Sequence, residues 1–75
     1  MLQSDVELIK KIKHEVLVLH GQKDAVVPVG VAHQLGVLLA NSDVHVYGNC
    51  GHWVQIEREK SFNRMVTGFF KNGLD

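Results

Sequence analysis

The chain has 75 residues, of which 45% are hydrophobic and 21% charged, the balance of one small globular domain. Eight basic and eight acidic side chains cancel, which argues against nucleic acid or an anionic membrane surface as a partner. No apolar run reaches the roughly 18 residues of a membrane span, and the N-terminus lacks the apolar core of a signal peptide. We therefore expect a cytoplasmic protein.

The first half of the chain predicts a helix, a strand and a loop. The segment SDVELIKKIK, residues 4–13, is typical of a short amphipathic helix with Ser4 or Asp5 as its cap. VLVLHG, Val16 to Gly21, has four aliphatic residues followed by a turn glycine, which predicts a strand covered on both faces, as in a parallel sheet. QKDAVVP, residues 22–28, is a loop because it holds turn-forming residues and ends in proline.

The second half predicts a helix, a strand and a final helix. Apolar residues recur at helical spacing from Val29 to Ala40, and DVHVYG, Asp43 to Gly48, alternates as a strand nearer a sheet edge does. The mixed charges of residues 57–60 indicate a solvated face that begins the last helix, and Asn72 and Gly73 end it. The predicted core stripe of that helix is Phe62, Met65, Val66, Phe69 and Phe70.

This αβαβα order predicts an α/β fold with two parallel strands, since a strand, a crossover helix and a second strand form a right-handed unit. The loops that leave parallel strands lie at the same edge of the sheet, where ligands of open α/β sheets bind. Asp24 and His52 lie in these two loops. Either Asp24 orients His52 as a general base, or Asp24 is an Asx-turn residue and His52 an ordinary loop histidine.

The residue patterns of the two loops support the first interpretation. HGQKDAVVP, His20 to Pro28, followed after a helix and a strand by GHW, Gly51 to Trp53, resembles the C-terminal part of α/β-hydrolase-fold enzymes. It is similar, more narrowly, to the meta-cleavage product hydrolases, which cut a carbon–carbon bond in ring-opened aromatic catabolites. The resemblance covers Val16 to Phe70.

That resemblance implies a partial α/β-hydrolase fold in which residues 1–75 are a single C-terminal portion of the domain. It implies that Asp24 and His52 are the acid and base of a Ser-His-Asp triad, and that Val27 and Trp53 lie near the substrate pocket. Trp53 could equally cover the sheet edge. In this family the nucleophile precedes the acid, but no serine of this sequence lies in a G-x-S-x-G turn. We therefore expect no hydrolase turnover from the isolated chain, and a small-molecule substrate only in a complete enzyme.

The sequence gives less support to a cysteine nucleophile or a metal site. Cys50 lies two positions before the base without a turn that would present it, so we expect a packed, unreactive thiol. The histidines, Asp24 and Cys50 do not have the spacing of a known metal site, and we expect no metal and no cofactor. His20, at the end of a strand, is expected to be a buried or hydrogen-bonded structural residue, whereas the three other histidines should face solvent: His14, His33 and His45.

Two functional classes remain open. The chain is either a segment of a serine-type hydrolase, or a non-catalytic remnant that acts as a self-associating module. Two parallel strands leave both sheet edges unpaired, so we expect the fold to be completed by homo-oligomerisation. A G-x-S-x-G motif encoded ahead of Met1 would favour the first class, and a stable inactive oligomer the second.

Overall fold

The computed structural model describes residues 2–74, and its helices and strands follow the order αβαβαα. The elements are α1 (Gln3–Lys10), β1 (Val16–Gly21), α2 (Val29–Leu38), β2 (Ser42–Tyr47), α3 (Val54–Glu57) and α4 (Glu59–Asn72). The α/β class and the five predicted elements are confirmed, while the one-turn helix α3 was not predicted. Within residues 2–74, none of the helices combines the length and the apolar character that a membrane span requires.

The two strands form a parallel pair, as predicted. The register runs from Val16 opposite Ser42 to Gly21 opposite Tyr47. Main-chain bonding continues beyond the strand ends, because the amide of Gln22 donates to the carbonyl of Tyr47 at 2.9 Å. Both exit loops therefore leave the same edge of the sheet and remain side by side.

Helices cover the two faces of this sheet. α2 lies on the face that carries Val44, so closely that a Cβ added at Gly36 would come 2.7 Å from the Val44 side chain. Side chains alternate along a strand, and Asp43 and His45 accordingly lie on the other face, where they border a cavity with α4. α1 packs on α2 and adds an outer layer.

The core is thin. The buried hydrophobic side chains of the described residues are Ala32, Leu39, Cys50 and Val54. Residues 16–20 of β1 are only half-buried, so the expectation of a strand covered on both faces is wrong for this chain alone. Phe70 also departs from the predicted core stripe, since it is 81% exposed, whereas the other four stripe residues are half-buried.

Helix ends differ from the sequence pattern in two places. Leu2 precedes the first turn of α1 without a side-chain cap, so Ser4 and Asp5 lie inside the helix and neither caps it. α2 ends at Leu38, two residues early, because Leu39 is extended and turns its side chain into the core. The predicted end of α4 is confirmed: Gly73 follows the last turn with a φ of 71°, a conformation that favours glycine.

Candidate active site

Asp24 is held in the β1 exit loop by its own neighbours. Its Oδ1 accepts hydrogen bonds from the amides of Val26 and Val27, each at 2.8 Å. This is the Asx-turn arrangement that a short carboxylate makes with the following backbone. The side chain is only 4% exposed. The turn therefore fixes the carboxylate and leaves its second oxygen, Oδ2, directed away from the turn.

His52 meets that second oxygen from the β2 exit loop. Its Nδ1 lies 2.9 Å from Asp24 Oδ2. Because the carboxylate oxygen accepts, Nδ1 carries the proton and Nε2 is the free ring nitrogen. Among residues 2–74 the structure gives Nε2 no hydrogen-bond partner, and 36% of the side chain is exposed. One oxygen of Asp24 therefore makes the Asx turn and the other contacts His52, while the role of His52 as a general base stays a prediction.

The surroundings of Asp24 favour its charged form. Burial raises the pKa of this carboxyl, but hydrogen bonds from the Val27 amide, the His52 ring and the Val26 amide outweigh burial and lower the pKa from 3.8 to about 2. Asp24 is therefore an anion throughout the neutral range. An anion in this position stabilises the imidazolium that forms when Nε2 accepts a proton.

The lowered pKa predicts that the fold loses stability in acid. A carboxylate whose folded pKa lies below its ordinary value stabilises the fold above about pH 4, and this contribution is lost as the pH falls through about 2. The thermal midpoint should therefore fall more steeply from about pH 5 to pH 2 in the natural chain than in Asp24→Asn. Asp43→Asn, on the exposed side of β2, is the matched control and should follow the natural chain. Equal acid sensitivity of Asp24→Asn and the natural chain would contradict the predicted role.

Close packing of the two loops requires glycine at position 21. Gly21 is buried, and a Cβ there would lie 2.0 Å from the carbonyl oxygen of Gly51 and 2.5 Å from that of Cys50. Both obstacles are main-chain atoms. The amide of Lys23 also donates to the Cys50 carbonyl at 2.9 Å, and its Nζ donates to Asn49 Oδ1 at 2.9 Å. We call the β1 exit loop with Asp24, residues 22–28, the acid loop, and the β2 exit loop with His52, residues 48–53, the base loop. The two loops thus contact each other directly through backbone.

Two consecutive charged residues hold the base loop from its far side. Both carboxylate oxygens of Glu57 lie 3.1 Å from the amide nitrogen of Gly51, the residue before His52. Arg58 donates to the carbonyl of Gly48 and lies 5.6 Å from the ring centroid of Tyr47. Residues 57, 59 and 60 are exposed, as the predicted solvated face requires, but Glu57 and the half-buried Arg58 also bind main-chain groups of this loop. The contacts join residues six and ten positions apart across a bend, and no periodic pattern signals them.

The two predicted pocket residues lie beside the pair. Val27 is half-buried, and its backbone is bonded on both sides, through its amide to Asp24 and through its carbonyl to His20 Nε2 at 2.8 Å. Trp53 is 57% exposed, and its ring meets the His52 ring edge to face, with centroids 5.1 Å apart. Contact of either side chain with a substrate stays a prediction.

Cys50 and the histidines outside the pair have the burial and bonding expected of them. Cys50 is 1% exposed, and burial together with the nearby Glu57 carboxylate raises the pKa of its thiol, which makes it a packed and poorly nucleophilic group. His20 is hydrogen-bonded, while the other three histidines outside the pair are exposed: His14, His33 and His45. No three His, Cys, Asp or Glu side chains of residues 2–74 are grouped so that they could hold a metal ion.

The fold that carries this aspartate and histidine is found in known proteins. The family model described as TAP-like protein, one of the α/β-hydrolase models, matches residues 2–74. The chain belongs to this α/β-hydrolase family. Its strand, loop, helix, strand and loop are therefore a portion of an α/β-hydrolase fold, as the resemblance implied.

Relatives of this α/β-hydrolase segment are named as hydrolases of 2-hydroxy-6-oxo acids. It is 46% identical over 68 residues to the 2-hydroxy-6-oxo-2,4-heptadienoate hydrolase of Pseudomonas putida F1, covering 91% of this chain and 25% of the relative. It is 43% identical over 63 residues to a 2-hydroxy-6-oxononadienedioate/2-hydroxy-6-oxononatrienedioate hydrolase of Burkholderia vietnamiensis, covering 84% of this chain and 22% of the relative. The chain spans about a quarter of the length of the curated relatives it matches.

Solved structures give the same result. A meta-cleavage product hydrolase from Pseudomonas fluorescens IP01, a serine-to-alanine mutant complexed with acetates, superposes with a TM-score of 0.89 at 43% identity over 92% of this chain and 25% of that one. A predicted hydrolase from Thermoplasma acidophilum superposes with a TM-score of 0.86 at 29% identity over 96% and 35% of the two chains. The resemblance to meta-cleavage product hydrolases is confirmed.

Proposed function

We propose that this chain supplies the acid and the base of a serine-type α/β-hydrolase active site. Asp24 is the acid and His52 is the base. The observation that carries the proposal is the 2.9 Å contact between Asp24 Oδ2 and His52 Nδ1, which leaves the second nitrogen of a partly exposed ring free to act on a substrate or nucleophile. The membership of the α/β-hydrolase family supports it.

The geometry supports general-base catalysis through His52 Nε2. A serine hydroxyl placed within hydrogen-bond reach, about 2.6 to 3.2 Å, would pass its proton to Nε2 as its oxygen attacks a carbonyl carbon. The imidazolium would then be stabilised by the Asp24 carboxylate, and it would return the proton to the leaving group as the bond to that group breaks. Asp24 itself stays ionised throughout, in keeping with its lowered pKa.

The attacking serine must come from outside the described segment. Ser61 Oγ is hydrogen-bonded to Tyr47 Oη at 2.7 Å, and Ser42 Oγ donates to the carbonyl of Gly36 at 3.5 Å. Ser4 lies in α1, far along the chain from both exit loops. We therefore propose that the nucleophile and the oxyanion-binding groups belong to the part of a complete domain that the relatives have and this segment lacks.

The names of the relatives suggest the substrate class. They are hydrolases of 2-hydroxy-6-oxo-dienoates, compounds that carry a ketone and a carboxylate. We propose that a complete enzyme containing this segment hydrolyses a carbon–carbon bond next to the ketone of such ring-opened aromatic catabolites. Ester hydrolysis is the alternative reaction, since the same acid and base serve both acyl transfers.

A segment exchange tests the proposal. Residues 2–74 would replace the matching C-terminal quarter of the Pseudomonas putida relative, and under this proposal the remaining N-terminal part supplies the serine. We expect this chimera to hydrolyse a 2-hydroxy-6-oxo-dienoate, followed by loss of the substrate's absorbance, because the grafted Asp24 and His52 complete the triad. The isolated 75-residue chain should show no steady turnover of the same substrate or of an activated ester, because it lacks the nucleophile.

The N-terminal part of the relative alone is the control for this exchange, and it should be inactive. A folded chimera without turnover would contradict the proposal. So would steady turnover by the isolated chain that His52→Ala abolishes, because the reaction would then need no serine from elsewhere.

A specific observation favours the alternative, a self-associating module. The chain exposes 5320 Å², whereas a folded monomer of 8.4 kDa exposes about 4,600 Å². The apolar side chains of Val37 and Phe70 are 84% and 81% exposed, and both strands have an unpaired edge. Such a surface favours association, and a chain that associates stably without completing a triad would be this module.

We expect the isolated chain to form oligomers at micromolar concentration because association covers these apolar faces and strand edges. Light scattering after size-exclusion chromatography measures the mass directly. Val37→Lys, on the exposed face of α2, should reduce the oligomer fraction, and Gln55→Lys, an exposed polar position on α3 outside the groove that Val37 lines, is the matched control. A monodisperse 8.4 kDa species would contradict this prediction.

A further inference from the structure

His20 lies at the end of β1, directly before the glycine that allows the two loops to meet. Its Nε2 lies 2.8 Å from the carbonyl oxygen of Val27 and 3.4 Å from Asp24 Oδ2. The carbonyl oxygen can only accept, so Nε2 carries a proton and donates it there. The side chain is 13% exposed. The bond joins the last part of the strand to the far end of the acid loop and closes a ring of eight residues.

We propose that His20 is a positioning residue, which keeps Oδ2 of Asp24 turned toward His52. The proposal deepens the proposed function, and rests on it in taking Asp24 and His52 as the catalytic pair. His20 itself does not contact the reacting atoms. It acts through Val27, whose carbonyl it binds and whose amide binds Asp24 Oδ1.

The effect of His20 passes through Val27 to Asp24. Both backbone polar groups of Val27 are hydrogen-bonded: its carbonyl accepts from His20, and its amide donates to Asp24. Without the His20 donor, the half-buried carbonyl of Val27 would turn toward water, and its amide would lose its alignment with Oδ1. The carboxylate could then rotate about its own side chain, and the second oxygen would no longer point at a fixed imidazole.

The place of His20 in β1 supports a polar role over simple packing. It follows four aliphatic residues in a strand, so an aliphatic side chain would suit the same position in the sheet. Burying an imidazole there costs stability unless its polar atoms are bonded. Both described contacts of His20 Nε2, with the Val27 carbonyl and with Asp24 Oδ2, are with the acid loop, as a positioning role requires.

Nitrogen NMR of the full 75-residue chain, labelled at histidine, tests the proposal. In the natural chain we expect His52 in a single tautomer, protonated at Nδ1, with slow exchange of that ring proton with water. His20→Gln keeps an N–H at about the reach of Nε2 and should retain this signature. His20→Leu keeps the volume but removes the donor, and should speed the exchange about tenfold and mix the tautomers. His33→Gln, at an exposed position on α2, should change nothing.

Unchanged His52 signals in His20→Leu would overturn the proposal, and so would a mixture of His52 tautomers in the natural chain. If circular dichroism shows His20→Leu to be unfolded, His20→Gln is compared with His20→Asn, whose shorter amide does not reach Val27. Identical His52 signals in those two variants would overturn the proposal as well. The NMR signals require no nucleophile, so an inactive chimera would count against the proposed function while leaving the role of His20 to be decided by this measurement.

Discussion

His52→Ala in the chimera is expected to lower kcat by about 10⁴-fold or more, the largest effect that a single change in this segment should have. Under the proposed function the imidazole accepts the serine proton through Nε2 and is oriented through Nδ1, which lies 2.9 Å from Asp24. Alanine removes both contacts, and no described neighbour replaces them. Because His52 is partly exposed and its ring packs only edge to face on Trp53, the variant should still fold.

Asp24→Asn separates the orienting role from the base itself. An asparagine can present an N–H where Oδ2 accepts the Nδ1 proton, so the ring would take the other tautomer and lose its free Nε2 lone pair. We expect a loss of about 10⁴-fold in kcat with little change in KM. The matched controls are His33→Ala and His45→Ala, which remove exposed imidazoles away from the pair and should leave kcat within about twofold. Turnover by the His52→Ala chimera at the rate of the controls would exclude His52 as the base.

Gly21→Ala is expected to cause a smaller loss of kcat than either change in the pair, but it also lowers stability, and it acts without touching either side chain of the pair. The added methyl group would lie 2.0 Å from the Gly51 carbonyl oxygen, so the β2 exit loop would have to move by more than about 1 Å to reach ordinary contact. His52 follows Gly51 directly, and the 2.9 Å contact with Asp24 would not survive such a shift. We expect about 3 kcal/mol less free energy of unfolding and about 100-fold lower kcat in the chimera.

Gly68→Ala is the matched control because a Cβ at this α4 position meets nothing within 4 Å. Alanine is the better helix former, so this variant should gain up to about 1 kcal/mol, the opposite sign to Gly21→Ala. Urea unfolding and steady-state kinetics measure the two effects. A Gly21→Ala variant with natural stability and a natural His52 signature would show that the loops do not need to approach each other as the structure has them.

Much of this arrangement could be predicted because the strongest signals are local. β1 matches its predicted bounds, since an uninterrupted aliphatic run that ends in glycine has few alternatives. The parallel direction of β2 follows from the crossover helix, and the approach of Asp24 to His52 follows from that direction. One handedness rule and two exit loops were sufficient to place the pair at one edge of the sheet.

The structure differs from the predictions where the backbone conformation or a backbone hydrogen bond is not determined by the side-chain pattern. Leu39 fits the apolar spacing of α2 and is buried, yet its backbone is extended, because periodicity reports which side chains face the core and not where the helix stops. The roles of Glu57, Arg58 and His20 depend on backbone groups brought near by tertiary folding, and backbone groups leave no mark in the sequence. α3 has one turn, too short for any period to show.

The two exit loops are joined by main-chain bonds of their own, from Gln22 to Tyr47 and from Lys23 to Cys50. The distance between the proposed acid and base is thus set by contacts within residues 2–74. Imperfect seating of the segment would displace the serine relative to the imidazole while the imidazole and its carboxylate kept their own distance. A chimera in which this segment packs poorly against the rest of the domain would therefore be acylated slowly and yet show an unchanged His52 NMR signal. The interface between the two portions would then limit the rate.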